Sequence, residues 1–241
     1  MEIEPNIQII DLALYFEKEK LLVLSDFHLG YEEALNKQGV FIPMHQFEDT
    51  KRRLENIFKK VKDLKTVVIN GDLKHEFGTI SRQEWSDAFA ILDCISKNCE
   101  KIVLVKGNHD TVLGSLVEKK NLQIKNSFAG NGLLILHGNK LPETQDLMHA
   151  KIIVIGHEHP AINLKDKLIS EKVKCFLKGK WNKQTLIVQP SFNLITEGTD
   201  VLSEKLLSPF LKQIKDFEVW AVAGSEKILH FGKIKDIVKT F

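Results

Sequence analysis

Apolar residues in this chain come largely in short unbroken runs, and five of these runs end within three residues of Asp, Asn or His side chains. Leu21–Leu24 precedes Asp26 and His28, and Thr66–Ile69 precedes Asp72. Ile102–Val105 precedes Asn108, His109 and Asp110, Leu133–Leu136 precedes His137, and Ile152–Ile155 precedes His157 and His159. Runs of this length, bounded by Gly and polar residues, predict strands buried on both faces. Strands running the same way would gather the polar residues along one sheet edge, outside the carboxyl ends, where α/β folds place their ligands.

Helical period fills the gaps between the early runs. Pro43 can open a helix whose stripe is Phe47, Leu54, Ile57, Phe58 and Val61, with Lys51, Arg52, Lys59, Lys60 and Lys62 outside it. Ser81 and Glu84 have the form of a capping box ahead of Trp85, Ala88, Phe89, Leu92 and Ile95. Strand and helix alternating through residue 110 predict right-handed crossovers and a largely parallel first sheet. After Asp110 the pattern shortens to strand pairs. Asn131-Gly132 suits a tight turn, Trp181 to Gln184 a turn between Val173–Lys180 and Thr185–Val188, and Gly224-Ser225-Glu226 one between Val219–Val222 and Lys227–Phe231. The expectation is an α/β fold with a mixed second sheet packed on the first.

Composition narrows this picture without redirecting it. The 241 residues, 43% of them hydrophobic, suit a single domain spanning 1–241. With 34 basic against 32 acidic residues and a net charge of +2, no global field argues for nucleic acid or membrane, so anion affinity must be local. Arg52, Arg53 and Arg82 are the arginines; the other basic residues are lysines, which meet phosphate as point charges rather than forks. Lys165, Lys167, Lys172, Lys174, Lys178, Lys180 and Lys183 face only Asp166 and Glu171. That run reads as a solvated strand face in preference to a phosphate-tracking strip. Cys94, Cys99 and Cys175 form no CxxC pair and read as reduced structural thiols. Neither a signal-peptide pattern nor a membrane-length apolar run is evident, so a cytoplasmic protein is expected. Trp85, Trp181 and Trp220 read as core anchors, and His45, His149 and His230 as ordinary surface or packing residues.

The polar clusters carry the chemistry. Asp26 and His28, two apart, would share a face of a continuing strand and offer one oxygen and one nitrogen to a cation. Asp72 is the natural bridging carboxylate. A second cation would take Asp72, Asn108, His137 and one histidine of the Gly156-His157-Glu158-His159-Pro160 turn, the other returning to the first. Two cations about 3.5–4 Å apart can clamp an in-line displacement and generate a metal-held hydroxide as nucleophile. Carboxylate, imidazole and amide ligands without thiolate point to two divalent ions, manganese first, with iron, zinc, nickel or magnesium as alternatives. His109 is free to donate a proton to the leaving oxygen or to stabilise phosphoryl charge, with Asp110 orienting its imidazole. Lys74 and His75 can reach substrate or make a local turn hydrogen bond.

Asp26-Phe27-His28, Gly71-Asp72, Gly107-Asn108-His109-Asp110, His137-Gly138 and Gly156-His157-Glu158-His159 together resemble the calcineurin-like metallophosphoesterase superfamily, in its order. The resemblance implies a four-layer α/β/β/α sandwich of two mixed sheets with helices outside and a dinuclear metal site at one edge. It assigns Asp26, His28, Asp72 and His159 to one metal, Asp72, Asn108, His137 and His157 to the other, and His109 to catalysis. Gly71-Asp72-Leu73-Lys74-His75-Glu76-Phe77 and Pro190-Ser191-Phe192-Asn193 look like the small archaeal SbcD-related phosphoesterases and the bacterial DNA-ligase-associated ones. The chain has no long insertion and no room after residue 200 for the DNA-binding cap of the repair nucleases, which implies an open site for small or flexible substrates. The implied activity is phosphodiester hydrolysis, on nucleic acid or a small or cyclic diester. A phosphomonoesterase and a metal-binding, non-catalytic interaction module are the alternatives. A protein partner or self-association is left open.

Overall fold

The structure, a computed structural model, describes residues 1–76, 81–110, 122–142, 145–165, 170–225 and 227–238. Phe77, Asp166, Lys167, Glu226 and the side chain of Lys165 lie outside the described residues. The strands are β1 (Glu2–Glu4), β2 (Ile7–Ile10), β3 (Ala13–Phe16), β4 (Leu21–Ser25), β5 (Thr66–Asn70), β6 (Lys101–Val105), β7 (Leu122–Lys125), β8 (Phe128–Gly130), β9 (Leu133–Leu136), β10 (Ile152–Ile155), β11 (Pro160–Lys165), β12 (Ser170–Trp181), β13 (Gln184–Val188), β14 (Thr199–Asp200), β15 (Glu218–Ala223) and β16 (Lys227–Lys233). The helices are α1 (Tyr31–Lys37), α2 (Gln46–Lys60), α3 (Arg82–Ser96), α4 (Asp146–His149) and α5 (Ile234–Ile237). Among the described residues no helix is long and apolar enough to cross a membrane.

All five ligand-bearing runs are strands, and Leu21–Leu24, Ile102–Val105 and Leu133–Leu136 are buried at every position. A strand covered on both faces has no polar side to show, which is why the sequence does not alternate there. The first sheet runs β1-β2-β3-β4-β5-β6-β7. Its half from β4 to β7 is parallel, as expected. The other half is antiparallel, three short strands from residues 2–16 that the run pattern does not announce. The second sheet runs β14-β11-β12-β13-β10-β9-β8, with β15 on β12 and β16 on β15. Here β9, β10 and β13 are parallel and the outer pairs mostly antiparallel. Asn131 and Gly132, both at positive φ, close the β8–β9 hairpin, and Asn182 turns β12 into β13.

The sheets pack face to face. Along the second sheet, Leu133, Ile135, Val154, Phe176 and Ile187 join the first sheet in one apolar cluster. The alternate residues Leu134, Leu136, Ile153, Ile155, Leu186 and Val188 join a second cluster behind it. Period-two alternation thus partitions each strand between two cores. Helices α2 and α3 cover the outside of the first sheet through Leu54, Ile57, Ile91 and Ile95. The outer layer on the second sheet is thinner, built from α5, Phe210, Leu211, Phe217 and Leu147 of α4. Helix α2 starts at Gln46, three residues beyond the proline expected to open it. Its free N–H groups find an acceptor in Glu32, whose Oε1 takes bonds from the His45 and Gln46 nitrogens at 2.8 and 2.6 Å.

Candidate metal centre

Strand register brings the ligands to one level. Ser25 pairs with Asn70 and Asn70 with Val105, so Asp26, Asp72 and Asn108 all leave the first sheet at the same edge. Ile155 pairs with Leu136, which sets His137 and His157 side by side at the edge of the second. Asp26 and His28 are not on a continuing strand, because β4 ends at Ser25. Both stand at positive φ, 53° and 46°, as do Asp72 (46°), His157 (65°) and His159 (51°). Left-handed backbone costs a non-glycine residue about 1–2 kcal/mol, and such strain gathers at functional sites. The chain crosses between ligands in tight steps that extended backbone cannot make.

Cross-bonds hold those steps. The Asp26 and His28 nitrogens donate to the carbonyls of Gly71 and Asp72. From the other side the Phe192 and Asn193 nitrogens donate to the carbonyls of Ser25 and Asp26, and Asn193 Nδ2 donates to the His28 carbonyl at 3.3 Å. Two glycines matter through what they lack. A Cβ on Gly107 would lie 2.0 Å from Asp72 Oδ1, and one on Gly156 would lie 2.0 Å from Ser25 Oγ and 2.4 Å from Asp26 Oδ2.

Three donor groups result among the described residues, each with ligand atoms within 4.8 Å of one another: His28, His75 and His109, and two that contain a carboxylate, Asp26, His28 and His159, and Asp72, His137 and His157. The last two follow the division implied by the sequence resemblance. His137 lies between them, with Nε2 3.3 Å from Asp72 Oδ2 and Nδ1 3.5 Å from Asp26 Oδ1. Asn108 Oδ1 lies 2.8 Å from His137 Nε2. His28 Nε2 and His159 Nε2 face each other at 3.3 Å, and His159 Nε2 is 3.5 Å from Asp26 Oδ1. Asp26 Oδ1 and His137 Nδ1 are buried and make no well-formed hydrogen bond, meeting only each other and, for Asp26, His159 Nε2, at 3.5 Å, which native proteins rarely tolerate. The donor types and these poorly satisfied atoms fit a pair of divalent cations.

The electrostatics agree. Burial and the nearby His159 push His28 down to about 3, and burial with His137 pushes His157 down to about 4, so both rings are neutral and ready to ligate. Burial alone would lower His137 too, but Asp72 and Asp26 override it and raise the ring to about 9. Burial also opposes ionisation of Asp26 and Asp72, yet His159 and His137 hold both below the usual carboxylate range. A ring raised this far holds its proton at pH 7, between the Asp72 and Asp26 carboxylates.

His109 reaches the same place. Its Nε2 is 3.9 Å from Asp72 Oδ2, its backbone nitrogen donates to Asp72 Oδ1 at 2.8 Å, and its Nδ1 meets the His75 carbonyl. Asp110 does something other than expected: its oxygens accept from the Leu73 and Gly107 nitrogens at 3.2 and 3.0 Å. It braces the two ligand loops, and burial raises its carboxyl to about 6. Lys74 takes the second of its two expected roles, a local turn hydrogen bond to the Glu76 carbonyl. It is 2% exposed and its ammonium donates to the carbonyls of Glu76 and His109, so it points inward, away from any substrate. His75 does face the site, in a cavity of about 160 Å³ lined also by His28, Tyr31, His109, His159, Asn193 and Thr196. Its ring packs 4.6 Å from Tyr31, centroid to centroid.

Tyr31, Asn193 and Glu84 are site-supporting residues that the sequence reading did not single out for this work. Ser81 caps α3 as expected, but Glu84 turns to accept from the His75 and Glu76 nitrogens at 2.9 and 3.1 Å. Of the described lysines in the 165–183 run, Lys180 and Lys183 are exposed as expected, while Lys172, Lys174 and Lys178 are partly buried. Lys172 pairs with Glu204, Lys178 with the Ile3 carbonyl, and Lys180 with Thr185. Lys174 donates to the Ser191 and Asn193 carbonyls and to Ser191 Oγ, fastening the Asn193 segment from below.

The family described as calcineurin-like phosphoesterase matches residues 19–223. The crystal structure of the Pseudomonas putida nuclease MPE superposes with a TM-score of 0.61 and 20% identity, over 89% of this chain and 90% of that one. Vacuolar protein sorting 29 of Cryptosporidium parvum aligns over 88% and 97% of the two chains at 12% identity with a TM-score of 0.40. No curated protein matches.

Proposed function

The chain belongs to the calcineurin-like phosphoesterase family, and on that premise we propose that it hydrolyses phosphodiesters at a dinuclear metal centre, with manganese the first ion to test. The observation that supports this reading is the convergence of six Asp and His donors from two sheets, with Asn108 Oδ1 2.8 Å from His137 Nε2 and buried oxygen and nitrogen atoms without a well-formed hydrogen bond among them. Asp26, His28, Asp72 and His159 would hold one cation, and Asp72, Asn108, His137 and His157 the other. Such a pair, when bound, supplies Lewis-acid polarisation of the phosphoryl group and acidifies water. The protein's own residues do the rest. The His75 carbonyl accepts the Nδ1 proton of His109, which turns Nε2 to the site; with a second proton on Nε2, the ring gives that proton to the leaving oxygen and returns to its neutral Nδ1–H form. Asp110 keeps the loops carrying Asp72 and Asn108 in step. The cavity beside His109 receives the group that departs.

Within the family we assign the chain to the small SbcD-related and DNA-ligase-associated phosphoesterases, on Gly71 to Glu76 and Pro190 to Asn193. The likeness in fold to a nuclease makes an oligonucleotide the first polymer to try. The test is Mn²⁺-dependent hydrolysis of a chromogenic phosphodiester beside its monoester. Asp72→Ala is expected to lower diester turnover by about three orders of magnitude or more while the far-UV spectrum is unchanged. An Asp72→Ala protein as active as the parent would sink the bridging role, and turnover of the monoester alone would reassign the substrate.

A further inference from the structure

Two cavities flank the centre, and they differ in charge. The one beside His109 is small and lined by rings. The other, about 540 Å³, has Asn108 and His137 on its inner wall and Lys106, Lys140, Asn126 and Asn139 outside. Its volume lies within the range of small-ligand sites, about 300–1,000 Å³. Lys106 and Lys140 are exposed, and among the described residues neither has an ion-pair partner. Lys172, Lys174, Lys178 and Lys180 of β12, by contrast, donate to protein acceptors. Among the described residues Asp110 is the carboxylate in the lining, but it is 3% exposed with its oxygens on backbone N–H groups. It does not neutralise the pair.

We infer that this second cavity is a subsite for the backbone of a single-stranded polynucleotide, in which Lys106 and Lys140 hold a phosphate next to the scissile one. The inference rests on the phosphodiesterase reading above and narrows its substrate class. A cyclic or other small diester with one phosphate would place that group on the metal centre and leave both ammonium groups idle. A strand has further phosphates to offer, and lysine point charges neutralise them without reading bases. The exposed amides of Asn126 and Asn139 add donors suited to phosphate oxygens. This also agrees with a chain of small net charge, whose anion affinity has to be local.

The test is a Lys106→Ala/Lys140→Ala double variant, with Lys62→Ala/Lys183→Ala as a control carrying the same change in charge. Both are assayed on a single-stranded oligonucleotide and on the chromogenic diester. The site variant is expected to lose about tenfold or more in kcat/KM on the oligonucleotide, through KM, while the diester changes by less than about twofold. Anisotropy of a labelled oligonucleotide on metal-free protein provides a readout without turnover. There, the slope of log affinity against log salt should become shallower by about 1.4, two single-strand contacts at about 0.7 each. Oligonucleotide kinetics unchanged, falling in step with the diester, or equally reduced in the control would overturn the subsite. If neither substrate is hydrolysed by the parent, the phosphodiesterase reading fails and anisotropy alone decides, equal affinities of parent and variant then counting against the subsite.

Discussion

At His137 a proton and a bound cation would compete for the same ring. Its pKa of about 9 exceeds the ordinary histidine value because Asp72 and Asp26 flank it, whereas His28 and His157 are already neutral at pH 7. Loading metal at pH 7.5 is therefore expected to release a proton from His137, and the apparent affinity should fall by about tenfold per pH unit as pH drops below 9. Calorimetric titration of Mn²⁺ in buffers of different ionisation enthalpy checks this; a heat independent of buffer would show that no proton leaves. Residue type made these clustered donors legible in the sequence. Side-chain direction did not, and Lys74 and Asp110 show why. Each sits one or two positions from a ligand, but burial turns the first onto two carbonyls and the second onto two N–H groups. One partner of each is local, Glu76 and Gly107, but the other, His109 for Lys74 and Leu73 for Asp110, comes from a loop distant in sequence that no local pattern announces.

Among the elements, the segment from Pro190 to Asn193 positions more than it contributes. Asn193 donates to the His28 carbonyl and accepts from the Ile195 and Thr196 nitrogens at 2.8 and 3.0 Å, while Lys174 secures it from β12. Asn193→Ala should cost about 1–3 kcal/mol of stability and, by loosening the backbone under Asp26 and His28, about 10–100-fold in metal affinity. Urea denaturation and metal titration separate the two. Parental metal affinity in a destabilised variant would make the segment a structural brace only. The strands that β4, β5, β6, β9 and β10 became were readable because apolar residues fill them. The three N-terminal strands were not, though Ile7 and Ile9 point inward in alternation, because pieces of three or four residues carry too little period. The start of α2 escaped for a different reason: Glu32, on another helix, supplies its cap.

At the level of the whole molecule, each donor group draws on both sheets. Asp26 and His28 follow β4 while His159 follows β10; Asp72 follows β5 while His137 and His157 follow β9 and β10. Cations would thus cross-link layers otherwise held by apolar contact. Saturating Mn²⁺, at about a thousand times its Kd, should add about 4 kcal/mol and raise the melting temperature by on the order of 10 °C. Scanning calorimetry with and without chelator tests this, and Asp72→Ala should abolish most of the shift. A shift equally large in that variant would place the stabilising ion elsewhere. The clamp at Phe192 and Asn193 also sets an order of events during synthesis. The carboxylates at 26 and 72 leave the ribosome long before the imidazoles at 137, 157 and 159, and the segment that locks Asp26 follows them all. A nascent chain therefore displays acidic half-sites with no matching partner, and correct metallation has to wait until most of the polypeptide has been made.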